Sequence, residues 1–285
     1  MKFNSLRTLK LRWKIVITLA ALLLILNIYY LLKTPTNEGP WFAHYEPLVE
    51  VVFSNNKAVI TNFRRARYDE SGNTKLLNYS QKTVDLNRLE AVWYGISQFA
   101  SPGLAHTFLS FDFGDKDPVV VSVEARMRPG QGYSPLQGAL DNYHLIYVFA
   151  DERDIVGVRT HRRNEAVRFM PISVDKQRMR KMFRDMADRA NSLATTPEFY
   201  NTFTSNCTNN IMQQTAVSAW QYYFDPRILL PAFSDSIAYD FGVLDQNYTL
   251  EQHRAAALLD ASTFSDSDQD FYQAIRQSYY DGLRQ

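Results

Sequence analysis

Residues 15–32 read IVITLAALLLILNIYYLL, an apolar run interrupted only by Thr18 and Asn27. As a helix this run spans about 27 Å, close to the ~30 Å hydrocarbon core of a bilayer. Lys2, Arg7, Lys10, Arg12 and Lys14 precede it, and only Lys33 follows closely. The positive-inside bias then predicts a cytoplasmic N-terminus and export of the remaining chain. Tyr29 and Tyr30 stand near the outer end, where aromatic belts form. A cleaved signal peptide would end on a small-x-small site, and NIYYLLKTP is bulky. No cysteine is present there for lipid attachment. The one-sided charge disfavours a core helix. The expectation is an uncleaved signal anchor, giving a single-pass protein of the inner membrane with a periplasmic body. Residues 34–40 (TPTNEGP) form most of a polar linker, taken as 33–40. Seven residues reach at most about 25 Å, so the body is expected close to the membrane surface.

The net charge of +1 conceals an asymmetry. With the six basic residues before position 34 set aside, residues 34–285 carry 25 Lys and Arg against 30 Asp and Glu. A body of that sign without a basic stripe argues against nucleic acid as the main partner. Hydrophobic residues at 46% and charged residues at 21% describe a packed body, not a disordered one. One cysteine excludes an internal disulfide framework and a cysteine-rich zinc site. Neither a cofactor nor a metal is expected.

No internal repeat divides residues 41–285. The expected organisation is a basic segment at 1–14, the anchor at 15–32, the linker, a periplasmic domain at 41–220 and a helical extension at 221–285. VEVVFSNNKAVITNFRRA reads as two strands around Asn55-Asn56, with Arg64, Arg65 and Arg67 as a solvated strand end. The spacing of Leu86, Leu89, Val92 and Trp93 predicts a helix over 85–99. Strands are expected at 105–113, 119–127, 143–150 and 167–172. An amphipathic helix with a solvated basic face is expected at 174–193, then a turn around Pro197 and a helix over 205–220. Two further helical stretches are expected near 235–259 and 266–283.

Cys207 is the most informative residue. An exported protein works in an oxidising compartment, where an unpaired thiol is a liability. Its setting, TSNCTNN, is polar. Ser205 or Asn206 can cap the following helix and leave the sulfur at its N-terminus, where free N–H groups and the macrodipole favour thiolate. Those amides can also receive an oxyanion. A small buried filler residue is the competing reading. A nucleophilic cysteine needs a base. Of five histidines, His106 opens a strand beside a Gly-containing loop and is preferred to His144, which shares a strand face with Ile146 and Val148. His44, His161 and His253 stand near the linker, in HRRN and in a charged helix. Strand alternation groups Ser122, Glu124 and Arg126 on one face, as a cleft lining that holds the imidazole or as an exposed face with a Glu–Arg pair. Asp112, Asp115 and Asp117 match no calcium loop and read as turn residues.

AHTFLSFDF, SVEARM, ADERDIVGVRT and YNTFTSNCTNNI, in this order, resemble the Lnb N-terminal periplasmic domain family. That family is similar to circularly permuted NlpC-type thiol enzymes of the papain-like superfamily, including lecithin retinol acyltransferase-like proteins. The resemblance covers about residues 41–215. It implies an α+β fold, an antiparallel sheet packed on helices, preceded here by one transmembrane helix. It carries the catalytic histidine onto His106 and the cysteine onto Cys207. It leaves open which of Ser122, Glu124 and Arg126 completes the site; Arg126 and Asn206 are expected to support it. The family's namesake, a lipoprotein N-acyltransferase, implies acyl transfer through the enzyme cysteine. A membrane-anchored acyltransferase or acyl hydrolase acting on lipid or lipoprotein is therefore expected. A cell-wall peptide amidase with the same Cys–His pair, and a non-catalytic envelope module, are the alternatives.

Overall fold

A computed structural model of the chain describes residues 3–100, 103–214, 225–261, 265 and 270–284, with residues 3–11 and Pro226 described by their backbone alone. The chain divides into two compact units, residues 1–36 and 37–285.

The first unit is one helix, α1 (Phe3–Leu32). Its segment Arg12–Leu32 is long and apolar enough to cross a membrane. None of that segment is buried in protein, unlike the core helix of a water-soluble domain. Asn27 donates to the carbonyl of Leu23 at 2.9 Å, so its amide makes a bond inside the helix, as a lipid-facing polar group requires.

The second unit is built on one nine-stranded sheet. Its elements run β1 (Glu50–Ser54), β2 (Lys57–Tyr68), β3 (Thr74–Asp85), β4 (Ala91–Ala100), β5 (Leu104–Asp112), β6 (Val119–Arg126), α2 (Pro135–Ala139), β7 (Tyr143–Ala150) and α3 (Glu152–Gly157). A π-helical turn over Val158–Arg162 follows, then β8 (Ala166–Pro171), α4 (Lys176–Thr195), β9 (Phe199–Tyr200), α5 (Cys207–Met212), α6 (Ser234–Asp240), α7 (Leu250–Ala257) and α8 (Phe271–Gly282). The strand order is β1-β2-β7-β6-β5-β4-β8, with β3 on β2 and β9 on β7. All pairings are antiparallel except the single β2–β7 contact at Arg64 and Ala150. The molecule is thus a mixed α+β structure with one N-terminal apolar helix.

Helix α4 covers one face. Asp175 caps it by accepting from the Arg178 amide at 2.8 Å. Met179, Met182, Phe183, Met186, Ala190 and Leu193 fall on one side at helical spacing and are buried. The Phe183 ring meets Phe53, Phe111, Phe113 and Phe149, which joins β1, β5 and β7 through one aromatic. The other face of β4 and β8 is covered by α8, whose Tyr279 stands edge-on to Trp93.

Four expectations need correction. Residues 91–100 are strand β4, not helix, and Leu86–Arg88 is a short 3-10 turn capped by Asp85. β4 lies between β5 and β8 with both faces covered, so Val92, Trp93, Tyr94 and Ile96 are all buried. A continuous apolar run of this kind mimics helical spacing. Strand β3 went unread because its residues are mostly exposed and polar. Arg64 is not a solvated strand end: it is buried and clamps Asp154 through two bonds of 2.8 and 3.0 Å. Arg65 and Arg67 both reach Asp151. The stretch 235–259 is two helices, because α6 ends at Gly242, which adopts a left-handed φ of 67°. Residues 215–220 and 266–269 of the expected helices lie outside the described residues.

Gly95 is required by close approach. A Cβ there would fall 2.2 Å from the ring of Phe108 on the neighbouring strand. That ring stacks on His106, so the glycine fixes the floor beneath the imidazole.

Helix α8 is held by charge as well as by rings. Arg276 donates to Glu152 at 2.7 and 2.9 Å and to Asp112 at 3.0 Å, with both acids largely buried. Replacement by Met leaves two carboxylates without their cation. The expected cost is about 3 kcal/mol or more, read as a lowered thermal unfolding midpoint for Arg276→Met in detergent. An unchanged midpoint would mean that this pair does not hold α8.

Candidate active site

Strands β5 and β6 pair from Phe111–Val119 to Phe108–Ser122, and there the ladder ends although both strands run on. In the same register Thr107 and Val123 would face next, and His106 and Glu124 after them. The latter two belong to the strand ends where the sheet opens, and their side chains meet in place of their backbones. Helix α5 approaches the face of β5 that carries Thr107, whose hydroxyl lies 3.3 Å from that of Thr208. Cys207, the first residue of α5, lines the same cleft as His106, close enough for the imidazole to draw its thiol down.

The start of α5 is fixed by asparagines. Asn206 is the N-cap: its Oδ1 accepts from the Asn209 amide at 2.8 Å and its Nδ2 donates to Thr202 O at 2.8 Å. Ser205 instead accepts from Asn210 at 3.2 Å. The amides of Cys207 and Thr208 have no acceptor inside the helix.

The polarity of the site follows from counting protons. Glu124 is mostly buried; burial pushes its carboxyl up, but His106, Arg159 and Ser122 override this and hold it well below the ordinary carboxylate range. It is therefore an acceptor only. The Ser122 hydroxyl donates to Glu124 Oε1 at 2.7 Å, which commits its one proton. Towards His106 Nε2, 2.7 Å away, the same oxygen can only accept. Nε2 therefore carries a hydrogen, shared with Glu124 Oε1 at 3.3 Å. In the neutral ring Nδ1 is then the free base, and it is the nitrogen left for the sulfur.

Burial alone would push the His106 imidazolium down, but Glu124 and the sulfur raise it to about 9 against the repulsion of Arg159. Burial alone would push the Cys207 thiol up, yet the hydrogen bond and charge of His106, with help from Thr107, bring it down to about 7. The arrangement favours a thiolate–imidazolium pair near neutral pH.

The structure brings together Cys207, His106, Ser122 and Glu124, with Asn206 behind them. It does not bring Arg126 to the group. That guanidinium is turned away to Tyr45 O, Glu46 O and Asn37 Oδ1 and lies over the Trp41 ring. The other histidines are elsewhere. His44 is bonded to Thr74 and held neutral by burial, which lowers it to about 4. His144 packs between Trp41 and Phe199, His161 contacts Thr160, and His253 is fully buried between Tyr279 and Asp245 O. His161 is half-buried and His253 enclosed.

Arg159 was not foreseen. It lies on the π-helical turn after α3, donates to Ile155 O at 2.8 Å and reaches Glu124 at 3.4 Å. The segment ADERDIVGVRT contains it, but nothing in the spacing singles out this arginine from its neighbours. Around these groups is a cleft of about 240 Å³. Its lining is largely aromatic and aliphatic, including Tyr45, Phe99, Met127, Tyr133 and Tyr200, with Arg159, Arg163 and Glu165 as charged members. Among the described residues no group of three His, Cys, Asp or Glu is arranged to hold a metal ion.

The family model of the Lnb N-terminal periplasmic domain matches residues 75–231. The chain belongs to this family. No curated protein and no solved structure matches it. The Lnb-type match begins at β3, later than residue 41, and runs past residue 215. It contains every member of the cluster: His106, Ser122, Glu124, Arg159 and Cys207.

Because the chain has one cysteine, thiol alkylation reports the pair directly. The rate is expected to rise as pH passes through about 7, where the thiolate forms. In His106→Ala the supporting cation is lost and the buried thiol returns to its ordinary range or above. Half ionisation at pH 7 then becomes about one per cent, so the rate at pH 7 falls about fifty-fold.

Proposed function

We propose that the chain is a membrane-anchored, periplasmic, cysteine-dependent acyltransferase or acyl hydrolase, with its N-terminus in the cytoplasm. The observation that carries this reading is the fixed direction of proton donation, His106 Nε2 to Ser122 to Glu124. It leaves Nδ1 as the base towards Cys207. The proposed fold is the permuted papain-like, NlpC-type arrangement, in which the histidine precedes the cysteine.

In the proposed reaction His106 Nδ1 takes the Cys207 proton. The thiolate attacks an ester carbonyl and forms a carbon–sulfur bond. The oxyanion is received by the amides of Cys207 and Thr208. The tetrahedral intermediate expels the alcohol, which takes its proton from the His106 imidazolium, and a thioester remains. An amine or water then attacks, with His106 as base, and the thiol is regenerated. Ser122 and Glu124 keep the ring in its working tautomer and stabilise its charged form. The aromatic and aliphatic cleft suits an acyl chain. Arg163 and Glu165 in the lining give a second reading, a cell-wall peptide amidase using the same groups.

The test is a short incubation of the full chain with acyl-labelled phospholipid or lipoprotein, and separately with cell-wall peptides. Acyl label is expected on Cys207 as a hydroxylamine-labile thioester. The rate should rise through about pH 7 and fall through about pH 9 as the thiolate forms and the imidazolium is lost. Cys207→Ser should take no label, and His106→Ala should lose about 10²–10⁴-fold in rate. Full turnover by Cys207→Ser would overturn the reading. Turnover of peptides alone would favour the amidase.

A further inference from the structure

The end of the sheet that opens into the cleft is also where the body receives the chain from its N-terminal side. Asn37, the first residue of the second unit, donates to Leu193 O and Ala194 O at 2.8 and 3.0 Å and accepts from Arg126 at 3.1 Å. Trp41 is buried against His144, and the Phe42 amide donates to Met127 O at 2.9 Å. Arg126 closes β6, Met127 follows it, and His144, the second residue of β7, faces Arg126. This is the end at which β4 finishes, just past Phe99, and β5 begins, two residues before His106. Residues 33–36 are all that separate Leu32 from Asn37, a reach of at most about 18 Å.

The same end exposes large apolar side chains. Leu136 is 67% exposed, Phe203 56%, Phe99 42% and Tyr133 38%. They are joined to one another. The rings of Phe99 and Tyr133 meet edge-on at 5.9 Å, and Tyr133 meets Tyr200 at 6.2 Å. Helix α2, which carries Leu136, is fastened to the turn that carries Phe203 by a 2.8 Å bond from Thr202 to Pro135 O. Phe99 and Tyr133 line the cleft itself. Apolar side chains grouped in this way mark an interaction surface.

We propose that Phe99, Tyr133, Leu136 and Phe203 form a rim seated in the membrane–water interface, so that the cleft opens onto lipid. The occupant is a lipid surface and not a second copy because the chain enters the body beside this rim on a tether only a few residues long. The inference takes Arg12–Leu32 as spanning that membrane; it holds whether or not Cys207 is a nucleophile. Phenylalanine and tyrosine at such a level match the aromatic belts of membrane proteins. The partly exposed Arg163 at the cleft adds a charge suited to lipid phosphate.

The test uses the full chain in nanodiscs that each hold one copy, in a Cys207→Ser background. Leu136→Cys and Phe203→Cys each carry an environment-sensitive fluorophore. Asn87→Cys, exposed on the turn before β4 at the opposite end of the sheet, is the reference. Both substituted rim side chains are already exposed, so neither change removes a core contact. At 136 and 203 the emission is expected to shift to the blue and lose most of its intensity to nitroxide-bearing lipids, while position 87 does neither. Three labels that all remain in water, or all quench alike, would overturn the proposal. Protection at 136 and 203 only in discs holding two copies would assign the face to self-association and overturn it as well. Thioester formation on Cys207 is read separately, so failure of either idea leaves the other standing.

Discussion

The parting of β5 and β6 beyond Phe108 and Ser122 is the constraint from which the site follows. In an uninterrupted sheet His106 and Glu124 would face each other across a closed ladder. With the ladder ended, side chains make the bonds instead. Ser122 and Glu124 hold one ring nitrogen and leave the other on the side of the sulfur. Buried polar groups without partners are costly, so such an opening survives only where replacements are supplied in full. The cleft and the polar relay are therefore two results of one local change in strand pairing.

What keeps that opening in shape is the segment after β7. Asp151, Glu152 and Asp154 are all buried, and each is met by arginine from another element: Arg65 and Arg67, Arg276, and Arg64. Asp151 also caps α3 by accepting from the Asp154 amide at 2.8 Å. This lattice anchors the turn that delivers Arg159 to Glu124. Ion pairs of this kind add little net stability compared with apolar packing, but removal of one member leaves a buried charge behind. They fix geometry more than they add to the total.

Strands β5 to β8, bounded by turns and rich in aliphatic and aromatic residues, were readable in the sequence, as were α1, α4 and the polar setting of Cys207. Their signals are local: periodicity, capping and flanking charge. β4 was misread because burial on both faces erases the alternation that marks a strand. The pairing of Cys207 with His106 was reached through composition and strand position, aided by the family resemblance. Alternation puts Ser122 and Glu124 on one strand face, and the same alternation enrols Arg126. Near the end of β6 that residue turns to the chain entry at Asn37 and Trp41. Arg159 left no readable trace, because its role depends on a π-helical turn and on a carboxylate 35 positions earlier.

The attachment of α8 has a consequence for how the protein matures. Glu152 and Asp112 are laid down well before Arg276 during synthesis. Until residue 276 has emerged, two carboxylates in the growing body lack their counter-charge, and the acidic lattice that supports Arg159 is incomplete. Closure of the cluster thus waits for a residue 124 positions after Glu152 and 164 after Asp112.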